Sequence, residues 1–148
     1  MPDILHRIGI KPSTVDKVYD VLSSCKGLAA WWTNDTQGQP DKVGGVVQFR
    51  FGAGGFDMKV VELKPGAYVL WEVIDGPEEW IGTKISWEIR KDGDYVIVLM
   101  KHMSWREPVE FMHHCSTKWA IFLMSMKSLL ETGKGAPNPI DVKIDNWN

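Results

Sequence analysis

The sequence is short of cysteine, of positive charge and of long hydrophobic runs. Its two cysteines, beside seven methionines, indicate a reduced, cytoplasmic protein without a disulfide framework. Seventeen Lys and Arg residues against nineteen Asp and Glu residues give a formal charge of −2, so the chain lacks the basic surface that nucleic acid requires. No apolar run approaches the ~20 residues that span a bilayer, and the Met1-Pro2-Asp3 start lacks the basic and apolar regions of a signal peptide.

Tryptophan is the residue in excess, with eight copies in 148 residues. It combines a large apolar ring system with one polar N–H group, so such residues either fill a large core or line a cavity for an apolar ligand. The length fits one domain, and 44% hydrophobic against 24% charged residues is an ordinary globular balance. A chain of this size can bury a full core without a disulfide or a metal.

The first part of the chain predicts one strand followed by two short helices. Residues 4–10 are rich in strand-forming side chains. Ser13 is a suitable N-cap for the first helix, and Gly27 is expected to end it. Residues 28–32 predict the second helix. The first helix carries apolar residues at i, i+3, i+4 and i+7, namely Val15, Val18, Tyr19 and Leu22.

Turns rich in glycine and proline divide the middle of the chain into strands, and one long helix follows them. Trp80 falls in a loop between two of these strands. The helix is predicted from about Pro108 to Thr132, with Gly133 as its stop signal. Five strands are predicted, at residues 46–51, 56–63, 68–74, 84–90 and 95–102.

This order of elements predicts an α+β fold in which a curved antiparallel sheet of about six strands wraps around the C-terminal helix. A pocket between helix and sheet follows from that geometry. Residues 1–135 are predicted to form the single domain, and 136–148 an extended tail. Val142, Ile144 and Trp147 alternate with charged residues, so the tail either adds to a sheet edge, in its own or another subunit, or docks loosely.

Several short motifs together resemble the SRPBCC, or START-like, helix-grip (Bet v-like) superfamily. The closing segment from Cys115 to Gly135 is similar to the branch of activators of the heat-shock chaperone ATPase (Aha-type), in its bacterial single-domain form. The likeness covers residues 4 to about 135. The other motifs are Pro12, Val18 and Leu22, the Trp31-Trp32 pair, Gly44-Gly45 before Val46, Val60-Val61-Glu62, Pro65 and Trp71.

The resemblance implies a cavity, and the tryptophan content agrees with one. The first hypothesis is therefore a protein that binds a small hydrophobic, lipid-like or aromatic ligand between the C-terminal helix and the sheet. Trp31 and Trp32 are expected to form part of a lid, and His102 or His114 one polar contact. The remaining ligand-binding candidates on inward faces are Phe49, Phe51, Trp71, Trp87, Met100, Trp119, Phe122 and Met126.

Two other functions stay open. The resemblance implies an interaction module for a chaperone partner, although the separate N-terminal domain of the eukaryotic activators is absent. It also implies a cyclase-like or hydrolase-like enzyme, but the sequence shows no convincing acid–base pair and no catalytic residue is assigned. His113, His114 and Cys115 are consecutive on a helix and point apart, so no metal is expected. No cofactor and no membrane insertion are expected, and the chain is either a monomer or a homodimer.

Overall fold

An antiparallel sheet and a long helix form the framework of the computed structural model, which describes residues 1–148. The seven strands and three helices follow one another along the chain as β1 Ile4–Ile10, α1 Val15–Ser23, α2 Cys25–Trp31, β2 Asp35–Gly38, β3 Val46–Phe51, β4 Gly54–Lys64, β5 Tyr68–Asp75, β6 Lys84–Asp92, β7 Tyr95–Met103 and α3 Glu110–Thr132.

The strands lie in the order β1-β7-β6-β5-β4-β3-β2, and every neighbouring pair is antiparallel. Strands β2 to β7 form a meander, and β1 returns to pair with β7. The inward residues of the sheet pack against α3, which confirms the α+β helix-grip fold. The sheet has seven strands rather than about six, because residues 35–38 pair with β3 although they lack an apolar alternation.

The helix boundaries differ slightly from the prediction. Thr14, and not Ser13, caps α1, because the Thr14 side chain accepts a hydrogen bond from the Lys17 amide at 3.2 Å. Gly27 lies inside α2, since extended backbone at Ser24 ends α1 and the Ser24 hydroxyl caps α2. α3 ends where predicted, with Gly133 in the left-handed conformation at φ 87°.

Polar side chains tie α3 to strand β1. The Lys127 ammonium donates to the Gly9 carbonyl at 2.5 Å, and the Lys11 amide donates to the Glu131 carboxylate at 2.8 Å. His6 also donates from its ring to the Ser116 carbonyl at 3.1 Å. These contacts hold the helix across the concave face of the sheet. None of the three helices is both long and apolar enough to cross a membrane.

The 136–148 tail does not add to the edge of its own sheet, which was one of the predicted courses. It adds no strand to the sheet and makes a single isolated bridge, between Thr33 and Asn138. It runs antiparallel to α3, because its early residues contact the end of the helix and its late residues the beginning. The Ala136 amide donates to Ser125, whereas Trp147 packs beside Phe111. The tail therefore lies along one side of α3.

Candidate ligand-binding cavity

A cavity of about 150 Å³ lies between the first half of α3, the β3–β4 hairpin, the β5–β6 loop and the tail. Hydrophobic side chains form most of its wall, and most of these are aromatic. The lining residues are Trp32, Phe51, Phe56, Trp80, Phe111, His114, Cys115, Lys118, Trp119, Phe122, Trp147 and Asn148.

Helical spacing brings half of this wall together. Residues 111, 114, 115, 118, 119 and 122 recur at intervals of three and four on α3, so they share one face of the helix. On the opposite side, Phe51 and Phe56 flank the β3–β4 turn, and their ring centroids are 5.2 Å apart. Phe56 packs on Trp80 with a centroid distance of 4.6 Å, which joins the hairpin to the β5–β6 loop.

One buried donor on this wall has no hydrogen-bond partner. Trp80 is 6% exposed, and its indole N–H is unpaired. The N–H approaches the Cys115 thiol, whose pKa burial raises to about 12, so this sulfur remains a neutral, weak acceptor. An unpaired buried donor costs about 1–3 kcal/mol.

An ion pair joins the cavity wall to the tail. The Lys118 ammonium donates to the fully buried carboxylate of Asp141 in the tail. Lys143 donates to the same carboxylate at 2.9 Å. Burial by itself raises the pKa of Asp141, but the hydrogen bonds and charges of the two lysines outweigh it and hold that pKa below its ordinary value.

A second polar contact fixes the far end of the tail. The His114 ring donates from Nδ1 to the Asp145 carboxylate at 2.8 Å. This hydrogen bond lowers the pKa of Asp145. The Trp147 ring then lies 5.6 Å from the His114 ring and 6.3 Å from the Phe111 ring, measured between centroids. The tail thus supplies part of the cavity wall.

His102 faces inward, as strand parity predicts, but its ring does not border the cavity. Trp119 donates its indole N–H to His102 Nδ1 at 3.1 Å, so this nitrogen is unprotonated. His102 Nε2–H donates to the Thr83 hydroxyl at 2.8 Å, and that hydroxyl donates to the Trp80 carbonyl at 2.6 Å. Burial lowers the pKa of His102 to about 3, which keeps the ring neutral. Both nitrogens are engaged within the core, so neither is available to a ligand.

The structure brings five of the twelve predicted ligand-binding residues to the cavity: Trp32, Phe51, His114, Trp119 and Phe122. The other seven are at most 1% exposed and pack against one another or the helix, without bordering the cavity. They are Trp31, Phe49, Trp71, Trp87, Met100, His102 and Met126.

Seven lining residues were not among the predicted ones. Phe111 had a usable signal, because it precedes Cys115 by one helical turn on the apolar stripe. Trp80 and Trp147 had none, because they lie in a loop and in the tail, where no periodicity assigns a face. Phe56, Cys115, Lys118 and Asn148 complete this set.

The family of the chain follows from a comparison of its sequence with family models. The family model described as activator of Hsp90 ATPase homolog 1-like protein matches residues 12–131. The chain belongs to this family. The match spans α1 to α3 and includes most of the cavity wall, whereas the tail lies outside it. No curated protein matches the sequence.

Several solved structures are similar to this chain. The Aha1 dimer from Colwellia psychrerythraea, determined in solution, is 45% identical, with a TM-score of 0.84, over 91% of this chain and 100% of that one. DynU16, from the dynemicin biosynthetic locus, is 22% identical with a TM-score of 0.71, over 90% of this chain and 49% of that one. SSP2350 from Staphylococcus saprophyticus is 12% identical with a TM-score of 0.75, over 90% and 95%. The last two show the fold alone.

Proposed function

We propose that the protein binds a small hydrophobic or aromatic ligand in the cavity beneath the tail. The observation that carries this proposal is an aromatic-lined space of about 150 Å³ that holds one buried, unpaired donor, the Trp80 N–H. Trp71, Trp87 and Trp105 also have unpaired N–H groups, but they do not border this space. Among these unpaired indoles, only that of Trp80 therefore belongs to the cavity wall.

The volume limits the ligand to about one aromatic ring. Pockets for drug-sized molecules measure roughly 300–1,000 Å³, whereas an apolar cavity of about 150 Å³ accommodates benzene. The surrounding rings offer faces and edges for stacking. The suited class is thus a single-ring compound with one acceptor, such as an aromatic ketone.

Calorimetric titration with acetophenone, combined with NMR of the tryptophan side-chain N–H groups, tests this function. We expect saturable binding and a shift of the Trp80 indole signal, because the ketone oxygen accepts its hydrogen bond. Ethylbenzene, which has no acceptor, should bind more weakly and leave that signal nearly unchanged.

A pair of cysteine variants provides the matched control. Cys115→Phe fills the cavity and should abolish binding, whereas Cys25→Phe changes the other cysteine, away from the cavity, and should not. If acetophenone fails to bind the wild-type protein, or binds Cys115→Phe equally well, this function is wrong.

A second candidate is stimulation of an Hsp90-type ATPase, which the family description names. Its structural support is a set of large apolar side chains that remain in solvent, among them Met124 on α3 and Ile140 and Val142 in the tail. Addition of the protein should then raise the rate of ATP hydrolysis by a bacterial Hsp90. The Ile140→Ser/Val142→Ser variant should raise it less, and an unchanged rate with the wild-type protein would exclude the activity.

Self-association is part of the same proposal, since the 45%-identical relative is described as a dimer. Sedimentation velocity across a range of protein concentrations tests it. A species of twice the 16.8 kDa chain mass is expected, and a single species of 16.8 kDa at all concentrations would contradict it.

A further inference from the structure

Lys118 is the one cationic side chain on the cavity wall. The residue is 8% exposed, and its ammonium lies 5.0 Å from the centroid of the Phe122 ring, another part of the wall. All of its hydrogen-bond acceptors belong to the tail: the Asp141 carboxylate, the Val142 carbonyl at 2.8 Å and the Asn148 carbonyl at 3.5 Å. No strand, loop or helix of the domain supplies a partner for this charge.

The tail covers the cavity mainly through polar contacts. Ile140, Val142 and Trp147 are 64%, 60% and 49% exposed and Ile144 is partly buried, so none of the large apolar side chains of the tail is fully buried. Segments with few buried apolar contacts open at low free-energy cost. Opening of the tail alone is nonetheless unfavourable, because Lys118 loses its ion pair with Asp141 and two carbonyl contacts. A ligand that brings its own anion would remove this penalty.

We propose that Lys118 is an anion-binding residue of the cavity and that its ligands are single-ring aromatic carboxylates, which replace Asp141 of the tail. The inference rests on the proposed function, because the ring of the ligand occupies the same cavity. The exchange substitutes one carboxylate for another, so Lys118 stays paired throughout. The displaced Asp141 carboxylate becomes hydrated and keeps Lys143 as its partner, since both residues belong to the tail.

Benzoate and benzamide form the matched pair of probes, since they have the same ring and nearly the same shape but differ in charge. At pH 7 calorimetric titration should show tighter binding of benzoate to the wild-type protein. Asp141→Asn weakens the competing tail contact and should tighten benzoate binding about tenfold, the ratio that corresponds to about 1.4 kcal/mol. The same substitution should leave benzamide binding within about twofold, because benzamide does not compete for the charge of Lys118.

The lysine variants separate a specific contact from a general effect of charge. Lys118→Met should remove the preference for benzoate and retain benzamide binding. Lys134→Met removes the same charge at an exposed site beyond the cavity and should change neither affinity. If Lys118→Met does not fold, the Lys118→Met/Asp141→Leu variant removes both charges and carries the same expectation.

Tail displacement has its own readout. Hydrogen exchange at the Trp147 amide, which donates to Asp145 at 2.8 Å, should accelerate when benzoate binds and remain unchanged with benzamide. Equal benzoate and benzamide affinities, or benzoate binding that Lys118→Met does not weaken, would overturn the inference and leave the ligand-binding function standing. If benzoate, benzamide and acetophenone all fail to bind, the proposed function fails and this inference with it.

Discussion

Two regions of the molecule use aromatic side chains differently. In one they fill a packed core, and in the other they line a cavity. In the packed core above the centre of the sheet, the Trp87 ring meets the Trp71 ring edge-on at 5.5 Å and the Trp31 ring at 5.7 Å. At the cavity, the Phe111 ring lies 6.5 Å from the Trp80 ring and 6.3 Å from the Trp147 ring, and an open space remains among their neighbours.

The backbone that carries each ring explains the difference. Trp71 and Trp87 lie on neighbouring strands, where the sheet fixes their spacing and allows their rings to interlock. Trp80 and Trp147 lie in a loop and in the tail, which approach α3 from outside the sheet. Aromatic content alone therefore does not distinguish a filled core from a cavity. The two are distinguished by the elements that carry neighbouring rings, which are adjacent strands in the core and a loop and the tail at the cavity.

The largest expected difference between the two regions is in stability. Trp87→Ala leaves a hole among interlocked rings and should lower the free energy of unfolding by about 3–5 kcal/mol. Trp147→Ala removes a half-exposed ring and should lower it by less than about 1 kcal/mol. Urea denaturation followed by circular dichroism measures both. Similar losses would mean that the tail is part of the core.

Acidification should affect the packed core first. His102 has a pKa of about 3 when folded against 6.5 as the ordinary value, so only the unfolded chain takes up this proton as pH falls between these values. The stabilisation is complete above pH 6.5 and decreases below it, by about 3 kcal/mol at pH 4. Urea denaturation at a series of pH values measures this slope. In His102→Gln the slope over this range should largely disappear, and an unchanged slope would assign it to other groups.

Replacement of a residue by a larger one should also destabilise the packed core more than the cavity region, but by a smaller margin. Val98→Phe adds volume to a position that is 0% exposed in the packed core and should destabilise the fold by about 1–3 kcal/mol. Cys115→Phe adds volume beside a space of about 150 Å³ and should cost less than about 1 kcal/mol. Thermal denaturation compares the two variants. An equal cost would show that the cavity is not available to side chains.

The smallest effect is expected at the tail. The pKa of Asp145 is lowered chiefly by its hydrogen bond with His114, so this contact is intact above pH 3.8 and is lost as pH falls through the lowered value. Asp145→Asn should accelerate hydrogen exchange at the Trp147 amide several-fold while the amides of β6 and β7 stay protected. Uniform acceleration would instead mean that the tail and the core open together.

Most of the fold could be predicted from the sequence, because its helices and strands show apolar periodicity. The end of α3 follows from the apolar stripe and Gly133, and the inward face of β7 from the shared parity of Val98, Met100 and His102. Strand β2 escaped prediction since Asp35–Gly38 is polar and pairs only because the β3 edge is beside it.

The cavity was harder to predict because its wall depends on distant segments. Strand parity correctly placed His102 inward, but its hydrogen bonds with Thr83 and Trp119 arise only from the tertiary arrangement. The contact of Lys118 with Asp141 likewise joins residues 23 positions apart. No local pattern indicates such a pair.

The stacked tryptophans also determine the optical properties of the protein. Trp31 and Trp32 are parallel to within 8° at 5.4 Å, and Trp80 and Trp119 to within 7° at 6.2 Å. Rings this close exchange excitation energy before they emit. A molecule that enters beside Trp80 therefore changes a signal shared by rings that it does not touch. Loss of this energy transfer would report that the rings have separated while the helices and strands are still intact.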